Sequence, residues 1–170
     1  MTEEVIDRLM IIEDADQANS MGEIFNVEWQ DVDVEVALDS GCCDHVMDAE
    51  ADAPGYDIQE SASSSRGGGF LVGNGERIPN QGEVQLNLET PCGKDQQKRI
   101  RSTFQAARVT RPLMSVSKIC SNGFRCEFDD EKALVIDEKG HTHCKFVKRG
   151  GLYVCNMRLK APSHFGRQAP

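Results

Sequence analysis

Val32-Asp33-Val34-Glu35-Val36-Ala37-Leu38-Asp39-Ser40-Gly41 reads as a strand that ends in a tight turn. Val32, Val34, Val36 and Leu38 recur at every second residue, with Asp33 and Glu35 between them. Successive side chains of a strand point to opposite faces, so this run buries one face and wets the other. Asp39 comes next and carries a carboxylate into a Ser-Gly turn. Asp-Ser-Gly alone is a common turn sequence; the strand in front of it fixes where the carboxylate is held.

The chain downstream is rich in short β-like runs. Residues 48–69 have loop composition and read as a mobile excursion. Phe70-Leu71-Val72 and Val84-Gln85-Leu86-Asn87-Leu88 read as strands, separated by Gly73-Asn74-Gly75, Pro79-Asn80 and Gly82, which predicts one or two hairpins. Residues 91–99 read as a polar turn, and Phe104, Ala106 and Val109 as a weak strand. Leu113 through Cys120 can open a short helix that Asn122-Gly123 ends. Phe124–Phe128, Ala133–Ile136, Cys144–Val147 and Leu152–Val154 complete a closely spaced β series, with a turn at Asp137-Glu138-Lys139-Gly140. Such a series predicts a small barrel or sandwich. Upstream, Val5, Leu9 and Ile12 share one helical face.

A chain of 170 residues suffices for one domain with a core, or a smaller domain with tails. Aromatic content is only 6%, so the core must be aliphatic. No apolar run reaches membrane-spanning length and the acidic N-terminus has no basic leader, so neither a membrane nor secretion is expected. Seven cysteines, none in a C-x-x-C pair, read as reduced thiols of a cytoplasmic protein. Residues 1–60 hold 18 of the 28 acidic side chains and a single basic one, Arg8. Residues 61–170 hold 18 basic side chains against 10 acidic ones, so the acidic part is either a solvated segment or docks on the basic part. Nucleic acid is not an expected partner, because the basic residues form no aromatic-interleaved patch.

Asp39-Ser40-Gly41-Cys42-Cys43-Asp44-His45 resembles the D-S-G-A-[ST]-x-H motif of the copia-type retrotransposon protease, an aspartic peptidase of the retropepsin kind within a Pol polyprotein. Residues 72–82 are similar to the small-residue turn, strand and Gly that follow there, and Arg111 through Cys120 to its N-L-L-S-V-S-x-L segment. Gly123-Phe124, Val135-Ile136-Asp137 and Arg149 through Val154 follow the family's order toward its pre-integrase region. Cys43 departs from the family's Ser or Thr, and Ser115 stands where retroviral relatives have Gly.

The resemblance implies a mainly β fold: a small retropepsin-like closed β-barrel with a short helix and a flexible N-terminal segment. It divides the chain into an acidic upstream segment (1–27), a protease domain (28–120), a β-rich continuation (121–158) and a polar tail (159–170). It implies an endopeptidase that matures a polyprotein, with no cofactor or metal. Two carboxylates sharing one proton are needed, one as base and one as acid. Asp39 is the sole motif carboxylate, so the resemblance implies a homodimer with one Asp39 from each copy. Ser40 would brace the pair and Gly41 would let the backbone approach it. Gly73, Asn74, Gly75 and Ile78 would form the flap that closes over the peptide substrate.

Other readings stand beside this one. Asp137 is a second candidate acid, but Glu138-Lys139-Gly140 reads as a hairpin turn. His141, His143 and Cys144 with Cys120 and Cys126 match no common zinc spacing. Cys42-Cys43 read as buried small residues rather than a nucleophile, and Gly73-Asn74-Gly75 lacks the Lys-[Ser/Thr] of a phosphate loop. An alternative function is an inactive retropepsin-like β domain that serves as a binding or dimerisation module.

Overall fold

The computed structural model describes residues 11–12 and 29–162. They form a mainly β structure. Strands are β1 (Ile11–Ile12), β2 (Trp29–Asp39), β3 (Val46–Met47), β4 (Gly69–Leu71), β5 (Arg77–Pro79), β6 (Gly82–Gly93), β7 (Gln96–Ala106), β8 (Leu113–Ser115), β9 (Arg125–Phe128), β10 (Lys132–Ile136), β11 (Thr142–Arg149) and β12 (Leu152–Pro162). Among the described residues three short helices intervene: α1 (Ala49–Asp52), α2 (Ala62–Ser65) and α3 (Val116–Ser121).

Ten strands share one sheet in the order β1-β7-β3-β8-β2-β12-β11-β10-β9, and β6 pairs with both β7 and β12. The pairings β7–β3, β3–β8, β8–β2, β2–β12, β12–β6 and β6–β7 therefore return to their start. β4 and β5 form a separate antiparallel hairpin, Phe70 opposite Ile78.

β2 forms where the alternation predicts. Val34, Val36 and Leu38 are buried, and Asp33 and Glu35 are exposed. Ala37 is also buried, because β2 is a central strand flanked by β8 and β12. β6 alternates in the same way, sending Val84, Leu86 and Leu88 inward. One apolar cluster joins these residues to Phe104 and Met114, and equally to Val135, Phe146, Met157 and Leu159.

That cluster crosses the expected boundary at residues 120/121. β12 lies between β2 and β11, from Tyr153 opposite Leu38 to Pro162 opposite Trp29. The stretch 121–158 is thus built into the same sheet and core as residues 29–120. The polar tail does not start at 159 either, since β12 continues to Pro162 and Leu159 is fully buried.

Three local expectations are corrected. Residues 48–69, expected as a loop excursion, hold two short helices. Asp48 Oδ1 accepts Ala51 N–H at the start of α1, Ser61 and Ser64 form a capping box on α2, and Ala49, Ala53 and Ser61 are buried. Residues 91–99 are the facing ends of β6 and β7, and the turn is confined to Lys94-Asp95, with Asp95 at φ 57°. Leu113–Ser115 are strand, held parallel to β2, and only Val116–Ser121 are helical. The helix ends at Asn122 as expected. Val5 and Leu9 of the upstream helical reading, like the rest of that segment except Ile11–Ile12, lie outside the described residues. Ile12 itself is in β1, opposite Ile100. Among the described residues no helix is long and apolar enough to cross a membrane.

Candidate functional site

Asp39 is the last residue of β2 and stands opposite Ser115, the last residue of β8. The residue is half-buried, and its Oδ1 accepts the Gly41 N–H at 2.8 Å. That bond closes an Asx-type turn over Ser40, whose side chain is exposed. A Cβ on Gly41 would sit 3.4 Å from Asp39 Oδ1, at the tight end of ordinary van der Waals contact.

The turn is tied down on its far side. Cys42 Sγ donates to Asp44 O at 2.8 Å, and His45 N–H donates to Asp44 Oδ1 at 2.9 Å. Ser115 Oγ donates to Cys42 O at 2.5 Å and accepts Lys118 N–H at 3.1 Å, which makes it the N-cap of α3. Ser115 N–H donates to His45 Nδ1 at 2.9 Å. Lys118 Nζ lies 3.5 Å from Asp44 Oδ1. His45 is fully buried, and its ring centroid is 5.4 Å from that of Phe104.

Cys42 is half-buried and Cys43 is exposed, so neither is the buried small residue expected. Burial pushes the Cys42 thiol pKa up, with Asp39 nearby adding to the rise against the bond to Asp44. The thiol therefore stays protonated as a hydrogen-bond donor, the opposite of what a nucleophile needs.

The β4–β5 hairpin carries the other expected site residues. Gly75 N–H donates to Val72 O, Val72 N–H to Glu76 O, and Glu76 N–H to Asn74 Oδ1. Gly75 takes φ 86°, a left-handed conformation suited to glycine. Gly73, Asn74 and Gly75 are exposed at the tip, and Ile78 is half-buried. Leu71 is 79% exposed, a large apolar side chain in water that the sequence reading did not single out. The hairpin base is fixed by Asn80 N–H to Gly68 O, Arg77 to Gly67 O, and the buried Asn80–Gln105 amide pair. The bonds that hold the base of this hairpin run to residues 67, 68 and 105, whereas those named for the Asp39 turn run to Ser115 and Lys118.

Asp137 has a different task. Its Oδ1 accepts the N–H groups of Lys139 and His141, and its Oδ2 lies 2.8 Å from His143 Nε2. The His143 hydrogen bond, followed by that from His141, holds the carboxyl well below the usual carboxylate range. Asp137 is thus committed to the β10–β11 turn. His45 and Ser115 are the site residues that local sequence reasoning missed as partners. Their contact spans 70 positions, and the only local signal was a histidine six residues beyond Asp39.

Comparison with protein-family models, with curated proteins and with solved structures gives no match for this chain.

Proposed function

We propose that this chain is an aspartic endopeptidase of the copia-type retrotransposon kind, which hydrolyses peptide bonds of a polyprotein as a homodimer. The observation that carries the reading is the placement of Asp39. It ends a strand with one face in the core, enters a Ser-Gly turn closed on its own carboxylate, and stands in register with the residue that caps α3. The circuit of six strand pairings supports a small closed barrel. The glycine-tipped β4–β5 hairpin has the form of a flap that would exclude water from a bound peptide.

In this reading two Asp39 carboxylates, one from each copy, share a proton. One takes a proton from the attacking water while the other protonates the substrate carbonyl oxygen. Asp137 cannot supply the second acid from within the same chain, because its oxygens are bound in the β10–β11 turn.

The test joins sedimentation of the full chain to a cleavage assay on a mixture of fluorogenic peptides at acidic and neutral pH. The expected result is a dimer that cleaves best in acid. Asp39→Asn is expected to lower turnover roughly 10³-fold or more while the dimer persists. Undiminished cleavage by Asp39→Asn would falsify the assignment. A wild-type dimer without turnover at any pH would instead support the binding or dimerisation module.

A further inference from the structure

His45 is a fully buried imidazole immediately before β3, and its two nitrogens are in unequal circumstances. Nδ1 receives the Ser115 N–H at 2.9 Å, so it must present its lone pair and the ring proton must sit on Nε2. Nε2 is buried and has no hydrogen-bond partner among the described residues. A leucine would fill this place without burying a polar N–H, so packing alone does not account for a histidine here.

Ser115 is the point on which the turn converges. Its backbone stands opposite Asp39, its hydroxyl holds Cys42 O, and its N–H holds His45. The segment from Asp39 to His45 therefore starts in register with one residue of β8 and is hydrogen-bonded to that residue at its middle and end. Cys43 offers a thiol where the resembling family has a hydroxyl, and it is exposed. The bracing comes from across the sheet.

We propose that His45 is the positioning residue for Asp39: its neutral ring, by accepting the Ser115 N–H, fixes the turn that carries the carboxylate, and protonation of the ring undoes that attachment. The inference rests on reading Asp39 as the catalytic acid. The ring is surrounded by Phe104 from β7, Ser115 from β8 and Lys118 from α3, with Asp44 bound to its own backbone N–H. Burial, reinforced by the Lys118 ammonium, lowers its pKa to about 3, so the ring stays neutral in mild acid. The Asp44 carboxylate, 3.5 Å from Lys118 Nζ, faces the ammonium as counter-charge.

The experiment compares the full-length wild type with His45→Asn and His45→Leu. Asparagine can place an acceptor oxygen near the Nδ1 position, whereas leucine fills the space without one. Nitrogen-15 spectra of the wild-type ring are expected to show a bare Nδ1 and a protonated Nε2, with no titration between about pH 5 and 8, where an ordinary histidine titrates. The Asp39 carboxyl carbon and Ser115 amide signals are expected to stay in place in His45→Asn and to move in His45→Leu. Turnover in His45→Leu is expected to fall by about tenfold or more in kcat with KM within about twofold, and His45→Asn to recover most of it.

A ring protonated on Nδ1 would overturn the proposal. So would a His45→Leu chain whose Asp39 and Ser115 signals match the wild type. If His45→Leu does not fold, the ring tautomer and the His45→Asn signals decide the matter. If the wild-type dimer cleaves no peptide, the protease reading fails separately, and the same signals still show whether His45 holds the turn.

Discussion

Asp39 and Ser115 occupy the same register position at the end of the parallel β2–β8 ladder. The residue that carries the candidate acid and the residue that starts α3 are thus neighbours across a strand pair. Ser115→Ala removes the hydroxyl that caps α3 and holds Cys42 O, but keeps the N–H that His45 accepts. The expected cost is about 1–2 kcal/mol, measured as a lower urea midpoint at unchanged slope. An unchanged midpoint would show that the cap and cross-strand bond contribute nothing net.

Stability should depend on pH through His45. Its folded pKa is lowered from 6.5 to about 3. The unfolded chain therefore takes up a proton as pH falls through 6.5 while the folded chain does not. Stability falls across that window as acid is added, by at most about 1.4 kcal/mol per pH unit, and the effect levels off below the folded pKa. His45→Asn has no such proton to bind. The wild type minus His45→Asn difference in unfolding free energy, followed between neutral and acid pH, should slope in this sense; a flat difference would refute the lowered pKa.

The β4–β5 hairpin provides a matched pair of substitutions. A Cβ on Gly69 would collide with Ile78 O across the hairpin, whereas one on Gly73 meets no atom within 4 Å. Gly69→Ala should therefore distort the hairpin and lower kcat/KM by roughly tenfold or more, while Gly73→Ala stays within about twofold. Equal effects in the peptide-cleavage assay would remove the hairpin from the mechanism.

Core and surface phenylalanines should separate cleanly. Phe104 is fully buried against His45, and Phe128 is 46% exposed beside Tyr153. Phe104→Ala is expected to cost about 3–5 kcal/mol, and Phe128→Ala less than about 1 kcal/mol. Thermal or urea unfolding of both variants gives the comparison directly.

Much of the architecture was legible locally. The alternation of Val32, Val34, Val36 and Leu38 marked β2, and Asn122-Gly123 marked the end of α3. Gly73-Asn74-Gly75 marked the β4–β5 turn. The failures have physical causes. Residues 91–99 look like a turn by composition, yet the pairing of β6 with β7 extends both strands through them. Leu113–Ser115 look helical, yet the ladder with β2 draws them into the sheet. The break expected near residue 120 ignored β12, which returns to lie between β2 and β11.

The sequence by itself determined the strand that presents Asp39, the Ser-Gly turn and the glycine-tipped hairpin. Side-chain period and turn chemistry act within a few residues, so a linear string records them. Only the tertiary structure decided that Ser115 and His45 hold that turn, that Asp137 is taken up by the β10–β11 turn, and that residues 121–162 complete the sheet. Those outcomes depend on chain segments brought together across tens of residues, where pairing and burial are settled by the whole fold and leave no local pattern.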